Sequence, residues 1–307
     1  MKILLTSTSF QDVPGSHQEL LFSQSFEVVS KRGPLKETEM VDIIEGFDGV
    51  ICGDDEITRS VIERGANSKL RVISKYGIGL DKVDLKAAAD FGITVTNCPG
   101  VNGVTVAEHV FALLLAYSKN LIIENKFIRD QQWKRCVGTE LYGKRIAVLG
   151  FGSIGREVVK RALAFGMQPV LYDSSSHLES MEIDTIEIAK DIPSLISGAD
   201  ILSLHIPLND STRGILGKEE LGLMKKGVVV INTARAGLIE ESLILESIET
   251  GLFGAYLTDV LDQEPMIKDH PFLKFDNILI TPHIGSRTHE SVVRQGTMAV
   301  ENLLQNI

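Results

Sequence analysis

Residues 145–173 read RIAVLGFGSIGREVVKRALAFGMQPVLYD. The apolar run at 146–149 predicts a short buried strand, and Val158, Val159, Ala162 and Leu163 recur at helical spacing after it. Between strand and helix lies Gly150-Phe151-Gly152-Ser153-Ile154-Gly155. A GxGxxG alone is a weak signal. Placed between a strand and a helix, with an acidic residue, Asp173, closing the next strand, it points to dinucleotide binding. Gly150 would allow the tight turn, Gly152 the approach of a pyrophosphate, and Gly155 the close packing of helix on strand. Ser153 and Ile154 would open the helix, whose uncapped N–H groups and dipole favour an anion. Asp173 would accept from the adenosine ribose hydroxyls and repel a 2′-phosphate, which favours NAD over NADP. The bland alternative is that the glycines merely shape a turn.

Working outward, 307 residues suggest about two domains with a large core. An apolar fraction of 44% and a charged fraction of 23% are those of an ordinary folded protein. The net charge of −10 and the absence of a basic stripe argue against a nucleic-acid partner. Cys52, Cys98 and Cys136 show no CxxC spacing, so neither a disulfide framework nor a metal site is expected. No stretch reaches the ~18 apolar residues of a membrane span and the start lacks a signal-peptide pattern, so no membrane partner and a cytoplasmic setting are expected.

Strand-like runs at 2–6, 27–30, 49–52, 71–75 and 93–97 alternate with helical patterns, which predicts a parallel sheet with crossover helices. Residues 97–100, Asn-Cys-Pro-Gly, break the pattern as a candidate linker. A second alternation follows at 145–150, 168–173, 201–205, 228–232, 255–260 and 278–280, then one long final helix at 287–307. The predicted fold class is α/β, with the later half a doubly wound dinucleotide domain. Residues 104–118, VTVAEHVFALLLAYS, are apolar nearly all round and predict a buried helix. Val106, Val110, Phe111, Leu113, Leu114 and Leu115 exceed what one facing domain needs, so a homodimer interface is expected there, with burial between the two domains of one chain as the alternative.

With its cofactor motif mid-chain, the sequence resembles the D-isomer-specific 2-hydroxyacid dehydrogenases, the family that includes D-3-phosphoglycerate dehydrogenase and hydroxypyruvate reductase. The resemblance runs over almost the full length. It rests on Gly77-Ile78-Gly79-Leu80-Asp81, Val106-Ala107-Glu108-His109, Trp133, Gly150 to Gly155, VINTARAG at 230–237, DVLDQEP at 259–265 and TPHIG at 281–285. It implies two doubly wound parallel-sheet domains: a Rossmann NAD-binding domain at 99–285 inserted into a flavodoxin-like substrate domain at 1–98 and 286–307. The hinges would lie near Pro99 and Gly285.

Reducing a 2-oxo acid with NADH requires a cation for the carboxylate and a proton donor for the forming alkoxide. Arg235, Glu264 and His283 follow predicted strands of the nucleotide domain, where residues at carboxyl ends point into the binding crevice. His283 would be the acid–base. Glu264 would hold its far ring nitrogen and favour imidazolium by charge attraction, with Asp259 and Asp262 as rivals. The family pattern assigns the pairing to Glu264 and puts Asp259 near the nicotinamide carboxamide. Arg235 offers the planar paired donors a carboxylate accepts. By resemblance, Thr233 and Ala234 line the nicotinamide side, His205-Ile206-Pro207 bring backbone near the riboses, and Gly285 closes the cofactor set. The N–H groups of Tyr76-Gly77-Ile78-Gly79 would cradle the substrate carboxylate. Phosphoglycerate dehydrogenases commonly have arginine where this chain has Lys75, and another basic residue around Gly53-Asp54. Here Lys75 would either hold a second anionic group of the substrate or be solvated. The leading expectation is an NAD-dependent D-2-hydroxyacid dehydrogenase acting on a small 2-hydroxy or 2-oxo acid. The alternative is an NAD(H)-sensing corepressor-like protein on the same fold.

Overall fold

Short apolar runs become parallel strands when both faces of a sheet are covered, because every side chain in them is then buried. The computed structural model describes residues 1–174 and 186–307. Two compact units emerge, Met1–Asn102 with Ser286–Ile307, and Gly103–Gly285.

The first unit holds β1 (Lys2–Leu5), β2 (Glu27–Ser30), β3 (Gly49–Cys52), β4 (Val72–Lys75) and β5 (Thr94–Thr96). The order is β2-β1-β3-β4-β5, all parallel, which is the flavodoxin order. β3 and β4 are central and buried at every position, whereas edge strand β2 is only partly covered. The final helix, His289–Asn306, is capped by the Thr288 hydroxyl accepting from the Ser291 N–H. It lays Val292, Ala299, Val300 and Leu303 against Ile3, Leu5, Ile51 and Val72.

The second unit holds β6 (Arg145–Leu149), β7 (Gln168–Tyr172), β8 (Glu187–Ile188), β9 (Ile201–Leu204), β10 (Val228–Asn232), β11 (Phe253–Thr258) and β12 (Ile278–Ile280). Their order is β12-β11-β10-β9-β6-β7-β8, all parallel. Counted from β6 this is the Rossmann order 3-2-1-4-5-6 with one more strand beside the sixth. The chain reverses direction of winding between β6 and β9, so the loops after those two strands flank the crevice in which such sheets bind ligands. β8 escapes sequence reading because it is only two residues long and both are exposed.

The helix Gly103–Ser118 packs largely within its own unit. Val110, Phe111, Leu113 and Leu114 are buried against Ile146, Val148, Val158, Val159 and Ala162 of the same unit, and Val106 is buried as well. Each such side chain contributes about 1.5–3 kcal/mol by leaving water, and that stabilisation is already realised within one chain. Val104 stays 46% exposed on this helix, and Leu115 is only partly buried. The next helix, Leu121–Arg129, buries none of its residues. Among the described residues no single helix is long and apolar enough to cross a membrane, and no cluster of His, Cys, Asp or Glu is placed to hold a metal.

Candidate active site

The three glycines after β6 differ in what surrounds them. Gly150 has φ +98°, and a Cβ there would sit 2.5 Å from the His205 carbonyl oxygen. A Cβ on Gly155 would meet the Gly150 carbonyl at 2.1 Å, so only glycine lets the helix Ser153–Ala164 press on the turn. At Gly152 a Cβ would meet nothing within 4 Å. That is the open position a pyrophosphate needs, directly at the N-terminus of a helix with no side-chain cap. The Phe151 N–H donates to Asp173 Oδ2 at 2.6 Å, tying the turn to the end of β7.

Two buried polar atoms along this edge find no partner among the described residues, His205 Nδ1 and Thr233 Oγ1. Enclosed orphans of this kind fit a site built for a polar cofactor. His205 is no rival acid–base: burial pushes its pKa down to about 3, and its Nε2 contacts the Ser203 hydroxyl at 2.8 Å. Ile206 and Pro207 continue the same loop after β9.

Arg235 lies in the turn after β10, half-buried, with its Nη1 donating to the Ala234 carbonyl at 2.7 Å. The turn is held by Asn232, whose amide nitrogen donates to the Arg235 carbonyl at 2.9 Å and to Tyr256 Oη at 3.2 Å, while its oxygen accepts from the Ala234 N–H at 3.1 Å. Sequence reading passes over Asn232 as the end of an apolar strand. Its signal is a fully buried amide in a valine run, which must be bonded on all sides.

Glu264 and His283 meet. His283 Nδ1 lies 2.7 Å from Glu264 Oε2, and the other carboxylate oxygen accepts from the Leu261 N–H at 3.0 Å. The loops carrying them follow adjacent strands β11 and β12, next to the Arg235 turn after β10. His283 has φ +52°, a left-handed backbone that a non-glycine residue keeps only where its surroundings enforce it.

Asp259 does the enforcing. Its Oδ1 accepts from Thr281 Oγ1 at 2.6 Å and the Ile284 N–H at 2.9 Å, and its Oδ2 from the Gly285 N–H at 2.7 Å. A Cβ on Gly285 would stand 2.8 Å from that oxygen, so glycine is what permits the approach. Burial pushes the Asp259 carboxyl up, but the His109 ring, the Thr281 hydroxyl and the two N–H groups outweigh it, so its pKa lies below the ordinary 3.8. His109 Nε2 also contacts Thr281 Oγ1 at 2.9 Å. Thr281 has one hydroxyl proton, and the short contact to the carboxylate takes it, so His109 must donate through Nε2–H. His109 and Thr281 thus clamp the His283 loop, a function their motifs do not disclose in sequence.

In the first unit, Lys75 ends β4 and is 3% exposed, not solvated. Its Nζ donates to Asp54 Oδ1 at 2.9 Å and to the Tyr76 carbonyl at 3.1 Å. Tyr76 departs from expectation: its N–H donates to the Cys52 carbonyl at 2.8 Å, extending the sheet ladder, and its ring packs into the core beside Phe10. Gly77 follows with φ +120° and leads into Ile78.

Comparison with known proteins follows the same lines. The model of the family "D-isomer specific 2-hydroxyacid dehydrogenase, NAD binding domain" matches residues 111–285. D-3-phosphoglycerate dehydrogenase of Methanocaldococcus jannaschii is 37% identical over 305 residues, 99% of this chain, which spans only 57% of that protein's length. Hydroxypyruvate reductase of Thermotoga maritima is 36% identical over 295 residues, 94% of each chain. The crystal structure of a Thermus thermophilus protein superposes with a TM-score of 0.87 at 35% identity, covering 99% of this chain and 96% of that one. Fold order, glycine turn and matched length agree: the chain belongs to the D-isomer-specific 2-hydroxyacid dehydrogenase family, and NAD is the cofactor of its Rossmann domain.

Proposed function

We propose that this chain interconverts a small D-2-hydroxy acid and its 2-oxo acid. The observation that carries the reading is the 2.7 Å contact of His283 with Glu264, beside the Arg235 turn at the carboxyl ends of three neighbouring strands. NADH, when bound, supplies the hydride. Gly152, Ser153 and Ile154 hold its pyrophosphate, Asp173 its adenosine ribose, Ile206 and Pro207 approach the riboses, and Thr233 and Ala234 flank the nicotinamide. Arg235 pairs with the substrate carboxylate through two parallel N–H groups and polarises the adjacent carbonyl. Glu264 fixes Nδ1 of His283, so the ring gives its proton from Nε2 to the carbonyl oxygen, and takes one back in the reverse direction. Asp259 and Gly285 act by shaping the loop that aims the ring. Loss of NADH absorbance with a panel of 2-oxo acids tests this; tight NADH binding without turnover of any acid would favour the sensor reading instead.

Cofactor choice rests on Asp173. Its replacement by alanine removes a charged acceptor for the ribose hydroxyls, an interaction of about 1.5–3 kcal/mol. Asp173→Ala should lose roughly 10–150-fold in kcat/KM for NADH and narrow the preference over NADPH. A variant that keeps the full preference would exclude Asp173 as the ribose ligand.

The same reading includes a homodimer, and a further exposed apolar stretch could share in its interface. Leu121, Ile122 and Ile128 are exposed on the unburied helix, and Trp133 (84%) and Val137 (97%) continue the apolar surface along the following segment. A twofold interface would cover these exposed apolar side chains with those of a second copy. Sedimentation equilibrium should give twice the chain mass at micromolar concentration. A monomer there rules the interface out. Cys52, Cys98 and Cys136 are all free thiols, in keeping with a reducing cytoplasm.

A further inference from the structure

We infer that Tyr256 is a positioning residue for Arg235, acting through the side-chain amide of Asn232 and never touching the substrate itself. The inference rests on the reading of Arg235 as the carboxylate-binding group, and every residue in it lies within Gly103–Gly285.

Strands β10 and β11 run parallel, with Val230 beside Tyr256 and Asn232 beside Thr258. Side chains two apart on a strand share a face, so the Tyr256 ring stands on the face that carries Asn232. The ring has little freedom. It is 1% exposed, with the Phe253 ring 6.5 Å and the Phe272 ring 5.8 Å away between centroids. Burial pushes its pKa up to about 12, so Oη is a neutral hydroxyl at working pH.

Asn232 is fully buried, and its neighbours dictate how its amide is turned. The Ala234 N–H can only donate, so it takes Oδ1; the Arg235 carbonyl can only accept, so it takes one Nδ2 proton. The second Nδ2 proton goes to Tyr256 Oη at 3.2 Å. Without that hydroxyl the amide either keeps an enclosed donor with no acceptor, or rotates and gives up the two bonds that shape the turn. The main chain of Asn232 is anchored separately, since its carbonyl accepts from the Asp259 N–H and from Thr258 Oγ1, both at 3.1 Å. The amide is therefore the part that can swing. The turn has room to follow it, because Ala236 borders a small cavity that reaches Val260, Leu261 and the Tyr256 ring. A turn that moves takes the guanidinium with it, as Arg235 Nη1 donates to the Ala234 carbonyl at 2.7 Å.

Tyr256→Phe keeps the ring and removes only the hydroxyl. Hydrogen exchange of the NADH-free protein should become about 10-fold faster in a peptide spanning residues 232–239 and stay unchanged in β11. Steady-state reduction of the best 2-oxo acid of the panel should show KM raised about 5–50-fold and kcat lowered less than about 3-fold, because a carboxylate is held alike in ground and transition states. NADH affinity and the pH profile should not move. Oxamate, which presents the carboxylate but accepts no hydride, should bind the NADH complex more weakly by the same factor as KM. In an Asn232→Ala background Tyr256→Phe should add nothing. Should Asn232→Ala be too unstable to purify, exchange and KM in the single variant decide alone. A lower kcat with KM and exchange unmoved would mean that the hydroxyl only supports the fold, and an undiminished effect on KM without the Asn232 amide would mean that Tyr256 acts by another route. Either result overturns the inference and leaves the dehydrogenase reading standing. A wild-type NADH complex that neither turns over any acid nor binds oxamate overturns both.

Discussion

His283→Ala should reduce a 2-oxo acid about 10²–10⁴-fold more slowly than the wild type, the range general acid catalysis usually contributes, while NADH affinity stays unchanged. The separation follows from placement. His283 lies on the loop after β12, whereas the glycine turn and the helix Ser153–Ala164 are at β6, across the sheet. NADH fluorescence therefore reads one and steady-state turnover the other. Glu264→Gln sharpens the test. A negative charge 2.7 Å from Nδ1 favours imidazolium, and a neutral amide does not, so the basic limb of the kcat/KM profile for reduction should move to lower pH. Water screens the pair, since both side chains are about one-third exposed. An alanine variant that keeps wild-type turnover would remove His283 from the chemistry, and a profile unmoved by the glutamine would remove Glu264 from the pair.

The central strands such as β3, β6 and β9 were legible because each is a run of four or five mostly apolar residues, the look of a strand buried on both faces. The glycine turn was legible for a related reason, since a positive φ and two backbone approaches under 3 Å leave glycine as the only choice. What sequence misreads is partnership. The helix Gly103–Ser118 is as apolar as an interface helix, but whether its faces meet a neighbouring helix or a second chain depends on residues far along the sequence. Tyr76 in a glycine-rich loop looks like part of an anion cradle until its N–H is found extending the ladder. Lys75 looks like a free cation because its partner is 21 residues earlier. Asp259 is 25 residues before one of the N–H groups it anchors. In each case the residue type was visible and its bond was not.

Asp259→Asn should cost both stability and rate. The carboxylate accepts on both oxygens, from Thr281 and Ile284 on one and from Gly285 on the other. An asparagine side chain can present its carbonyl to only one of these groups of donors; its NH₂ must then face a buried N–H or hydroxyl. One such unsatisfied donor, previously bonded to a charge, costs about 1–3 kcal/mol, or on the order of 5–10 °C in Tm at the upper end for a unit of this size. The consequence for chemistry is larger than for folding. His283 keeps its left-handed backbone through the loop that these bonds close, and a displacement of about 1 Å at a reacting group can cost about 10²-fold in kcat. The pH dependence separates this from a general loss of packing. The Asp259 pKa is lowered on folding, so its contribution is complete above the ordinary aspartate value of 3.8 and lost as pH falls through the lower folded value. The stability gap between wild type and Asp259→Asn should therefore be full and level from about pH 8 down to about 4, and narrow only in stronger acid. Chemical denaturation across that range decides it: a gap that already closes between about pH 7 and 5 would mean that another group, and not the Asp259 carboxylate, holds the loop.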